Sequence, residues 1–293
     1  MSISTTTPIK PTIAFLGMGL MGSRMSARLL AADFAVSVWN RSAAAVEPVV
    51  AMGATRLETL ADLSSFQVIA LCLADDQAVE SVAATILDQM AAGQIVIDFS
   101  SSSVALTQRL AARAQAKQAH WIDAPVSGGV IGAEQGTLVI FAGGDADIIT
   151  ELAPVFAPLS QRVTRMGDSG SGQATKICNQ LIVAATSTLI AEAIALAEHA
   201  GVDATLLAPA LAGGFADSKP FQILAPRMAT RSFEPVQWKV QTLAKDLGNA
   251  MTLAQQHALP LPVAARALAQ LQAHADRGNA TADLSSVIQA IKP

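Results

Sequence analysis

The sequence predicts an α/β N-terminal domain built on a parallel sheet, followed by an all-α C-terminal domain that a long helix joins to it. Two observations carry this prediction. Up to about residue 168, short apolar runs alternate with helical patterns, which is typical of βαβ units. From residue 169 onward, almost every periodic segment has the spacing of a helix. The length of 293 residues accommodates two such domains, over residues 1–168 and 169–293.

The composition argues against several classes of function. Apolar residues make up 52% and charged residues 14% of the chain, which is typical of a well-buried or oligomeric globular protein. The formal net charge of -4 gives no electrostatic basis for binding nucleic acid or an anionic membrane. Cys72 and Cys178 lie in apolar runs and the four histidines lack metal-ligand spacing, so we expect two reduced, buried thiols and no metal site.

The start of the chain and its longest apolar run indicate a cytoplasmic protein. Residues 1–12 are rich in Ser, Thr and Pro and lack the apolar core of a signal peptide, so we expect a short flexible tail. The apolar run at residues 181–197 is interrupted by Thr186, Ser187, Thr188 and Glu192, whereas a membrane span needs about 20 cleaner residues. We therefore interpret this run as a buried or interfacial helix.

A glycine-rich turn follows the first apolar run, at residues 12–16. It consists of Gly17, Met18, Gly19, Leu20, Met21 and Gly22, matches G-x-G-x-x-G, and precedes a helical pattern over residues 23–32. Gly17 permits the tight turn, Gly19 lets backbone N–H groups approach a pyrophosphate, and Gly22 lets the helix pack close to the strand. The helix N-terminus favours the bound anion. This order of elements predicts a dinucleotide-binding Rossmann domain.

The residues after the second strand, at residues 35–39, indicate which dinucleotide binds. An NAD site normally carries an Asp or Glu here to accept hydrogen bonds from the ribose hydroxyls. This chain has Asn40, Arg41 and Ser42 instead. The Asn40 amide can bond a hydroxyl, and Arg41 with Ser42 suits a 2′-phosphate, which a carboxylate would repel. We therefore predict NADP, with NADPH preferred over NADH; an ordinary polar loop is the alternative interpretation.

Two further strands end in loops that belong to the same predicted site. The strand at residues 67–73 is apolar after Gln67, as a central parallel strand is, and the strand at 95–98 follows it. Ligands of such sheets lie beyond the carboxyl ends of the strands. Leu73, Ala74, Ser100 and Ser101 are therefore candidates for the wall of the cofactor site. Ser102 or Ser103 is expected to cap the helix that follows.

The strand at residues 120–123 leads to Ser127, Gly128 and Gly129. A Ser-Gly-Gly exit can present successive N–H groups and a hydroxyl in a concave array that suits a carboxylate. A plain turn explains these residues equally well. The remaining elements are a strand at 138–142, a helix at 147–156, a strand at 162–166, and helices at 174–200, 203–212, 221–228, 240–257, 261–276 and 283–291.

Lys176 and Asn179 open the long helix at the predicted domain junction. They are three residues apart and therefore share a helix face. A cation with an amide beside it at this junction suits proton transfer, whereas a solvated lysine near a helix start is the plainer interpretation. Lys245 lies in a helical pattern of its own and has the same plain interpretation.

Six motifs in order resemble the β-hydroxyacid dehydrogenase family, which includes 3-hydroxyisobutyrate dehydrogenase, tartronate semialdehyde reductase and the glyoxylate/succinic semialdehyde reductases. The resemblance extends over nearly the whole chain. The motifs are the glycine turn at residues 17–22, Asp-Phe-Ser-Ser at 98–101, Asp-Ala-Pro-Val-Ser-Gly-Gly at 123–129, Gly-Ala-Glu-Gln-Gly-Thr-Leu at 132–138, Gly-Ser-Gly-Gln-Ala-Thr-Lys at 170–176 with Asn179, and Lys-Asp-Leu at 245–247.

The resemblance implies roles for these residues. Lys176 would be the catalytic residue, and Asn179 would hold the substrate and orient the lysine. Ser127, Gly128 and Gly129 would bind the substrate carboxylate. Lys245 would line the cofactor and substrate cleft, with Asp246 beside it. Dimers or tetramers formed through the helical domain are also implied.

The chain departs from the family pattern in two places. Ser101 stands where the family often has Thr near the nicotinamide, and serine retains the hydroxyl of that threonine. Gln180 stands where a second Asn is common. Asn40, Arg41 and Ser42 resemble the NADP-preferring branch of glyoxylate/succinic semialdehyde reductases.

The expected reaction is reversible hydride transfer between NADP(H) and a small 3-hydroxy acid or semialdehyde acid, with Lys176 as general acid and base. An NADPH-dependent imine reductase, which has the same two-domain plan but usually lacks this lysine, is the alternative. A catalytically silent nucleotide-binding module is a third possibility. Trp238, with Phe215 and Gln241, is expected to line the substrate pocket, but these residues do not identify the substrate.

Overall fold

The computed structural model describes residues 10–291 of the chain. Residues 1–9, where most of the expected flexible tail falls, and residues 292–293 lie outside the described residues. The chain forms two compact units, one ending at Lys176 and the other beginning at Ile177. The division falls inside the helix Ser171–His199, whereas the predicted domain boundary at residue 168 precedes that helix.

Six parallel strands form most of the sheet in the first unit. They are β1 (Ile13–Leu16), β2 (Val36–Trp39), β3 (Thr55–Arg56), β4 (Val68–Leu71), β5 (Ile95–Asp98) and β6 (His120–Asp123). Their spatial order is β3-β2-β1-β4-β5-β6, and each neighbouring pair is parallel. This is the doubly wound order, in which the direction of winding reverses between β1 and β4 and leaves a crevice for a dinucleotide. The predicted Rossmann domain is confirmed.

Three more strands extend the sheet beyond β6. They are β7 (Val126–Ser127), β8 (Leu138–Gly143) and β9 (Ser160–Gly167). β8 is antiparallel to β6 and β7 and parallel to β9. The strands predicted at residues 138–142 and 162–166 are therefore present, and the sheet is mixed at this side.

The helices of the first unit connect these strands. They are α1 (Leu20–Ala31), α2 (Glu47–Val50), α3 (Asp76–Gln89), α4 (Val104–Gln115), α5 (Gly129–Gln135), α6 (Ala146–Glu151) and α7 (Ala153–Phe156). The single helix predicted at 147–156 is divided into α6 and α7, because Pro154 near the start of α7 has no N–H to continue the earlier helix. The sequence pattern does not predict α2, β3, α5 and β7, which are too short to show a period.

The two faces of the sheet are covered by different helices. Alternate strand residues point to opposite faces, so Phe15 packs with Met25 and Leu29 of α1, whereas Leu16 belongs to the cluster that contains Val79 of α3 and Leu110 of α4. Both clusters are buried. Helices on both faces explain why β1 and β4 are apolar throughout.

The second unit is helical. Its helices are α8 (Ser171–His199), whose first residues belong to the first unit, α9 (Leu207–Leu211), α10 (Lys219–Ala229), α11 (Val240–Gln256) and α12 (Pro262–His274). A helix predicted at 283–291 is a 3₁₀ helix over Leu284–Ala290, and the one predicted at 203–212 begins with a 3₁₀ turn at Ala204–Leu206. The Asp283 carboxylate accepts the Ser285 N–H at 3.0 Å and starts the last segment.

The long helix α8 has one buried and one exposed apolar side. Among the described residues it is the one helix whose length and composition would suffice to cross a membrane. Ala184, Ala191 and Ile194 on its inner side are fully buried in the core of the second unit. The prediction that Cys178 is buried is wrong, because this thiol lies on the exposed side.

Candidate functional site

The carboxyl ends of five parallel strands meet at one edge of the sheet. The last residue of β1, Leu16, is in register with Trp39 of β2 and Leu71 of β4. Leu71 is in register with Asp98 of β5, which is in register with Asp123 of β6. The loops that follow these strands therefore begin side by side. The structure thus brings together the predicted cofactor residues at 17–22, 40–42, 73–74 and 101.

Close packing between strand and helix requires two of the three motif glycines. Gly17 has a φ of +106°, and a Cβ on it would collide with the carbonyl oxygen of Cys72. A Cβ on Gly22 would collide with the carbonyl oxygen of Gly17. The roles predicted for these two glycines, a tight turn and close helix packing, agree with this geometry.

Gly19 has no such requirement within the protein. It precedes α1 with a φ of -77°, and a Cβ on it would meet no atom within 4 Å. Among the described residues no side chain caps α1, and its first turn carries no acidic residue. The first N–H groups of a helix lack partners within the helix and favour an anion. These features fit the pyrophosphate of a dinucleotide, which would approach the backbone where a Cβ on Gly19 would project.

Asn40 connects the glycine turn to the end of β2. Its Oδ1 accepts the Met18 N–H at 3.0 Å, and its Nδ2 donates to the Ser42 carbonyl at 3.0 Å. The amide thus positions the turn, and its contact with a ribose hydroxyl stays a prediction. Arg41 and Ser42 are exposed at the same edge. Within residues 10–291, Arg41 forms no ion pair and Ser42 caps no backbone N–H of the 3₁₀ turn that follows it.

Ser100 does not line the cofactor site, contrary to the prediction. It is buried, and its Oγ accepts the Leu73 N–H at 2.9 Å. The Ser100 hydroxyl therefore links the loop after β4 to the loop after β5. Ala74 and Ser101 are exposed beside it, and the cap of α4 is Ser103.

Two buried carboxyl groups for which no sequence pattern predicted a role, those of Asp98 and Asp123, lie at this edge. Asp98 accepts the Ser100 N–H at 2.9 Å and the Ser102 hydroxyl at 3.3 Å. Burial raises the pKa of the Asp98 carboxyl to about 7, because the charged form is deprived of water. Burial also raises the pKa of Asp123, although backbone N–H groups oppose this shift.

Asp123 caps the start of the long helix α8. Its Oδ1 accepts the Gly170 N–H at 2.8 Å, and its Oδ2 accepts the Gln173 N–H at 2.9 Å. A Cβ on Gly143 would lie 2.6 Å from this carboxylate, and one on Gly172 would lie 2.8 Å from it. Both glycines thus leave room for the carboxylate, which satisfies helix N–H groups and complements the helix dipole.

Gln173 completes the attachment of α8 to the sheet. The residue is fully buried; its Oε1 accepts the Ser102 N–H at 3.1 Å, and its Nε2 donates to the Ser100 carbonyl at 2.8 Å. Lys176 follows three residues later and is partly buried. Residues at this spacing share a helix face. Lys176 therefore lies one turn beyond a helix start that is bound to the end of β6 and to the loop after β5.

The candidate residues of the second unit form a chain of polar contacts. Asn179 Nδ2 donates to Gln180 Oε1 at 2.9 Å, and Gln180 Nε2 donates to Asp246 Oδ2 at 2.6 Å. Asp246 is 3.9 Å from the ammonium of Lys245, whose side chain is 50% exposed. Gln180, whose role the family pattern left open, thus connects Asn179 to Asp246.

The other predicted substrate residues are exposed in their own units, except Ser127, which is partly buried. Trp238 precedes α11 and is 41% exposed, and Phe215 is fully exposed. Gly128 and Gly129 are exposed with φ values of +131° and +63° at the start of α5. Two consecutive positive φ values explain the paired glycines. Binding of a carboxylate by Ser127, Gly128 and Gly129 stays a prediction.

Two family models cover almost the whole chain. The NAD binding domain of 6-phosphogluconate dehydrogenase matches residues 12–167, and the NAD-binding domain of NADP-dependent 3-hydroxyisobutyrate dehydrogenase matches residues 170–291. The first match contains every strand described above, and the second contains α8 and the helices that follow it.

Characterised relatives extend over the full length as well. The 2-hydroxy-3-oxopropionate reductase of Escherichia coli is 33% identical over 96% of this chain and 97% of its own. The NAD-dependent L-serine dehydrogenase of Pseudomonas aeruginosa is 30% identical over 96% and 98%. The structure of 3-hydroxyisobutyrate dehydrogenase from Mycobacterium tuberculosis with L-serine superposes with a TM-score of 0.90, at 29% identity over 97% of this chain and 100% of the other.

The matched domains and the full-length relatives agree with the dinucleotide site that the strand ends form. The chain belongs to the β-hydroxyacid dehydrogenase family and is an oxidoreductase that uses a nicotinamide dinucleotide to interconvert a hydroxy acid and its carbonyl form.

Proposed function

We propose that the chain transfers hydride reversibly between NADP(H) and a small 3-hydroxy acid or the matching semialdehyde acid, with Lys176 as general acid and base. One observation carries the proposal. The helix that bears Lys176 begins at the carboxyl edge of the sheet, where Asp123 binds it to the end of β6 and Gln173 binds it to the loop after β5. That edge is where a doubly wound sheet binds its dinucleotide.

When bound, the nicotinamide supplies or accepts the hydride at its C4 atom. During reduction, negative charge develops on the carbonyl oxygen as its carbon gains the hydride. The Lys176 ammonium stabilises that charge and donates a proton to the oxygen. During oxidation, neutral Lys176 accepts the hydroxyl proton, which is the general base role of the same nitrogen.

The other residues of the proposal bind and orient the substrate. Ser127, Gly128 and Gly129 hold its carboxylate through N–H groups and a hydroxyl. Asn179 holds the reacting end of the substrate and orients Lys176. Lys245 and Trp238 contact the substrate and Lys245 also contacts the cofactor in this proposal, and Leu73, Ala74 and Ser101 line the cofactor.

The names of the relatives support the substrate class. 2-Hydroxy-3-oxopropionate, L-serine and 3-hydroxyisobutyrate each carry a carboxylate and an oxygen on the third carbon, and they differ in the group on the second carbon. We propose that this chain recognises the same carboxylate and third-carbon oxygen. The second-carbon group then decides which member of the class it prefers.

One plate of assays tests this function. NADPH and NADH oxidation is measured with glyoxylate, succinic semialdehyde, methylmalonate semialdehyde, 2-hydroxy-3-oxopropionate and a cyclic imine, and the reverse reaction with the matching hydroxy acids and L-serine. We expect the highest kcat/KM with a semialdehyde acid. A preference for the cyclic imine would instead support an imine reductase, and tight NADPH binding without any turnover would support a silent module.

The cofactor preference is tested by Arg41→Ala. Arg41 is exposed at the end of β2 and forms no ion pair with another described residue, so its guanidinium is available for a 2′-phosphate. Loss of a charged hydrogen bond of about 1.5–3 kcal/mol should lower kcat/KM for NADPH about 10- to 100-fold. The kcat/KM for NADH should change little. In the control Arg113→Ala on α4, kcat/KM should change little for both cofactors. Equal losses with both cofactors would contradict the NADP proposal.

We also propose that the chain forms a homodimer or homotetramer through α8. Ile182, Leu189 and Leu196 are 62%, 64% and 71% exposed and recur every seven residues, so they form one apolar stripe. An apolar stripe of this kind is typical of an interface between helices. Light scattering should find a smaller particle for Leu189→Glu and an unchanged one for Leu259→Glu. An unchanged mass for Leu189→Glu would contradict this interface.

A further inference from the structure

We propose that Gln173, together with Asp123, is a positioning residue for Lys176. In this proposal the Gln173 carboxamide holds the first turn of α8 against the loop after β5, so that the Lys176 nitrogen reaches the reacting oxygen in one orientation. The inference rests on the proposed function, in which Lys176 is the general acid and base.

The contacts of Gln173 join the helix to two strand ends. Its backbone N–H donates to Asp123 at the end of β6. Its side chain bonds both sides of Ser101, because it donates to the Ser100 carbonyl and accepts the Ser102 N–H. A carboxamide can donate and accept at once, whereas an ionised Glu only accepts and an apolar side chain of equal length makes neither bond.

The helix start does not need this side chain as a cap. The Asp123 carboxylate already accepts the N–H groups of Gly170 and Gln173. The carboxamide of Gln173 therefore serves the loop at residues 100–102 rather than the helix N-terminus. It couples the exposed Ser101, at the edge where the dinucleotide binds, to the helix that carries Lys176.

A small displacement of this first turn is transmitted to Lys176. Residues at this three-residue spacing lie on one face about 5–6 Å apart, so a tilt or rotation at Gln173 moves the lysine with it. A misplacement of about 1 Å between reacting groups can lower a rate about 100-fold. A side chain that only satisfied buried backbone groups would change stability instead.

A double-mutant cycle separates a role of Gln173 in positioning Lys176 from a role in stability alone. Gln173→Met, which preserves volume but makes neither side-chain bond, is prepared in the wild-type and in the Lys176→Ala background. The reduction of 2-hydroxy-3-oxopropionate by NADPH is measured at enzyme concentrations high enough to follow the slow variants. We expect kcat to fall about 10- to 100-fold in the wild-type background and less than about twofold in the Lys176→Ala background, because Gln173 acts through the lysine.

Two further readouts accompany the cycle. The KM for NADPH should change less than about twofold while kcat falls, because the glycine turn is untouched. The control Gln115→Met, at the exposed end of α4, should leave kcat and KM unchanged. Should Gln173→Met not fold, Gln173→Asn, whose shorter amide cannot span both loop contacts, is taken through the same cycle.

The outcomes distinguish this inference from the proposed function. An equal loss of kcat in both backgrounds would overturn the positioning role and leave Lys176 as the acid and base. A Lys176→Ala variant with nearly wild-type kcat would overturn the proposed function itself. A lower unfolding temperature for Gln173→Met with unchanged kcat would overturn the positioning role, because the carboxamide would then act on stability alone.

Discussion

Lys176→Ala should lower kcat in both reaction directions by about 10²- to 10⁴-fold, the range that general acid–base catalysis supplies. The lysine is partly buried on α8, one turn beyond the residues that Asp123 caps. Alanine favours the helix and leaves that cap intact, so the fold and the glycine turn should not change. NADPH binding, followed by fluorescence titration, should therefore remain nearly normal while turnover is lost.

Lys176→Arg tests which property of the lysine matters. Arginine retains the positive charge but does not lose its proton in proteins. Oxidation of the hydroxy acid, which needs a base, should stay as slow as in Lys176→Ala. Reduction should recover in part, because the charge still stabilises the developing oxyanion. The matched control is Lys219→Ala at the exposed start of α10, and a Lys176→Ala enzyme with wild-type turnover would exclude the mechanism.

Asp98→Asn should make stability less dependent on pH. Asp98 is fully buried, and burial raises the pKa of its carboxyl from an ordinary value of 3.8 to about 7. Between these two values the folded chain keeps a proton that the unfolded chain releases. The contribution of Asp98 to stability is therefore complete below pH 3.8 and declines as pH rises towards 7.

Asparagine can replace both hydrogen bonds of this carboxyl group. Its Oδ1 can accept the Ser100 N–H, and its Nδ2 can donate to the Ser102 hydroxyl oxygen. Each unit of pKa shift corresponds to about 1.4 kcal/mol. Between pH 4 and pH 8 the unfolding free energy of the wild type should therefore fall, relative to that of Asp98→Asn, by on the order of 3 kcal/mol.

Urea unfolding at several pH values between 4 and 8 measures this difference. The control is Asp88→Asn on the exposed side of α3, which should keep the wild-type pH dependence. If the unfolding free energies of the wild type and Asp98→Asn changed with pH in parallel over the whole range, Asp98 would be ionised in the folded protein.

The dinucleotide site was largely predictable because its information is local. A Cβ on Gly22 would collide with Gly17, five residues earlier, and Gly17 itself has a positive φ, which is a local requirement of the turn. The strand before them and the helix after them have distinct periods. Asn40, Arg41 and Ser42 follow the second strand directly, so the regular alternation of strands and helices places them at the same edge. The family resemblance supplied roles for Lys176, Asn179 and Lys245 that spacing alone left open.

The support of the site was not predictable, because its partners are distant in sequence. Asp123 caps the helix that begins after Gly170, and its contact with the Gly170 N–H joins residues 47 apart in sequence. Asp168 and Ser169 are nearer in sequence and could have been predicted as the cap. Ser100 and Ser101 are adjacent and identical in type, yet the folded chain buries Ser100 and leaves Ser101 exposed. Cys178 sits in an apolar run on the exposed side of its helix.

The amino-acid pattern alone thus specified a parallel sheet with a glycine turn, a helical second half and a lysine at the start of the connecting helix. Short-range sterics and hydrophobic periodicity suffice for these features. The folded chain alone revealed that Asp98 supports the loop at residues 100–102 and that Asp123 and Gln173 bind the first turn of the lysine's helix to the sheet. Hydrogen bonds between loops depend on which strands are neighbours and in what register, and adjacent residues do not encode that information.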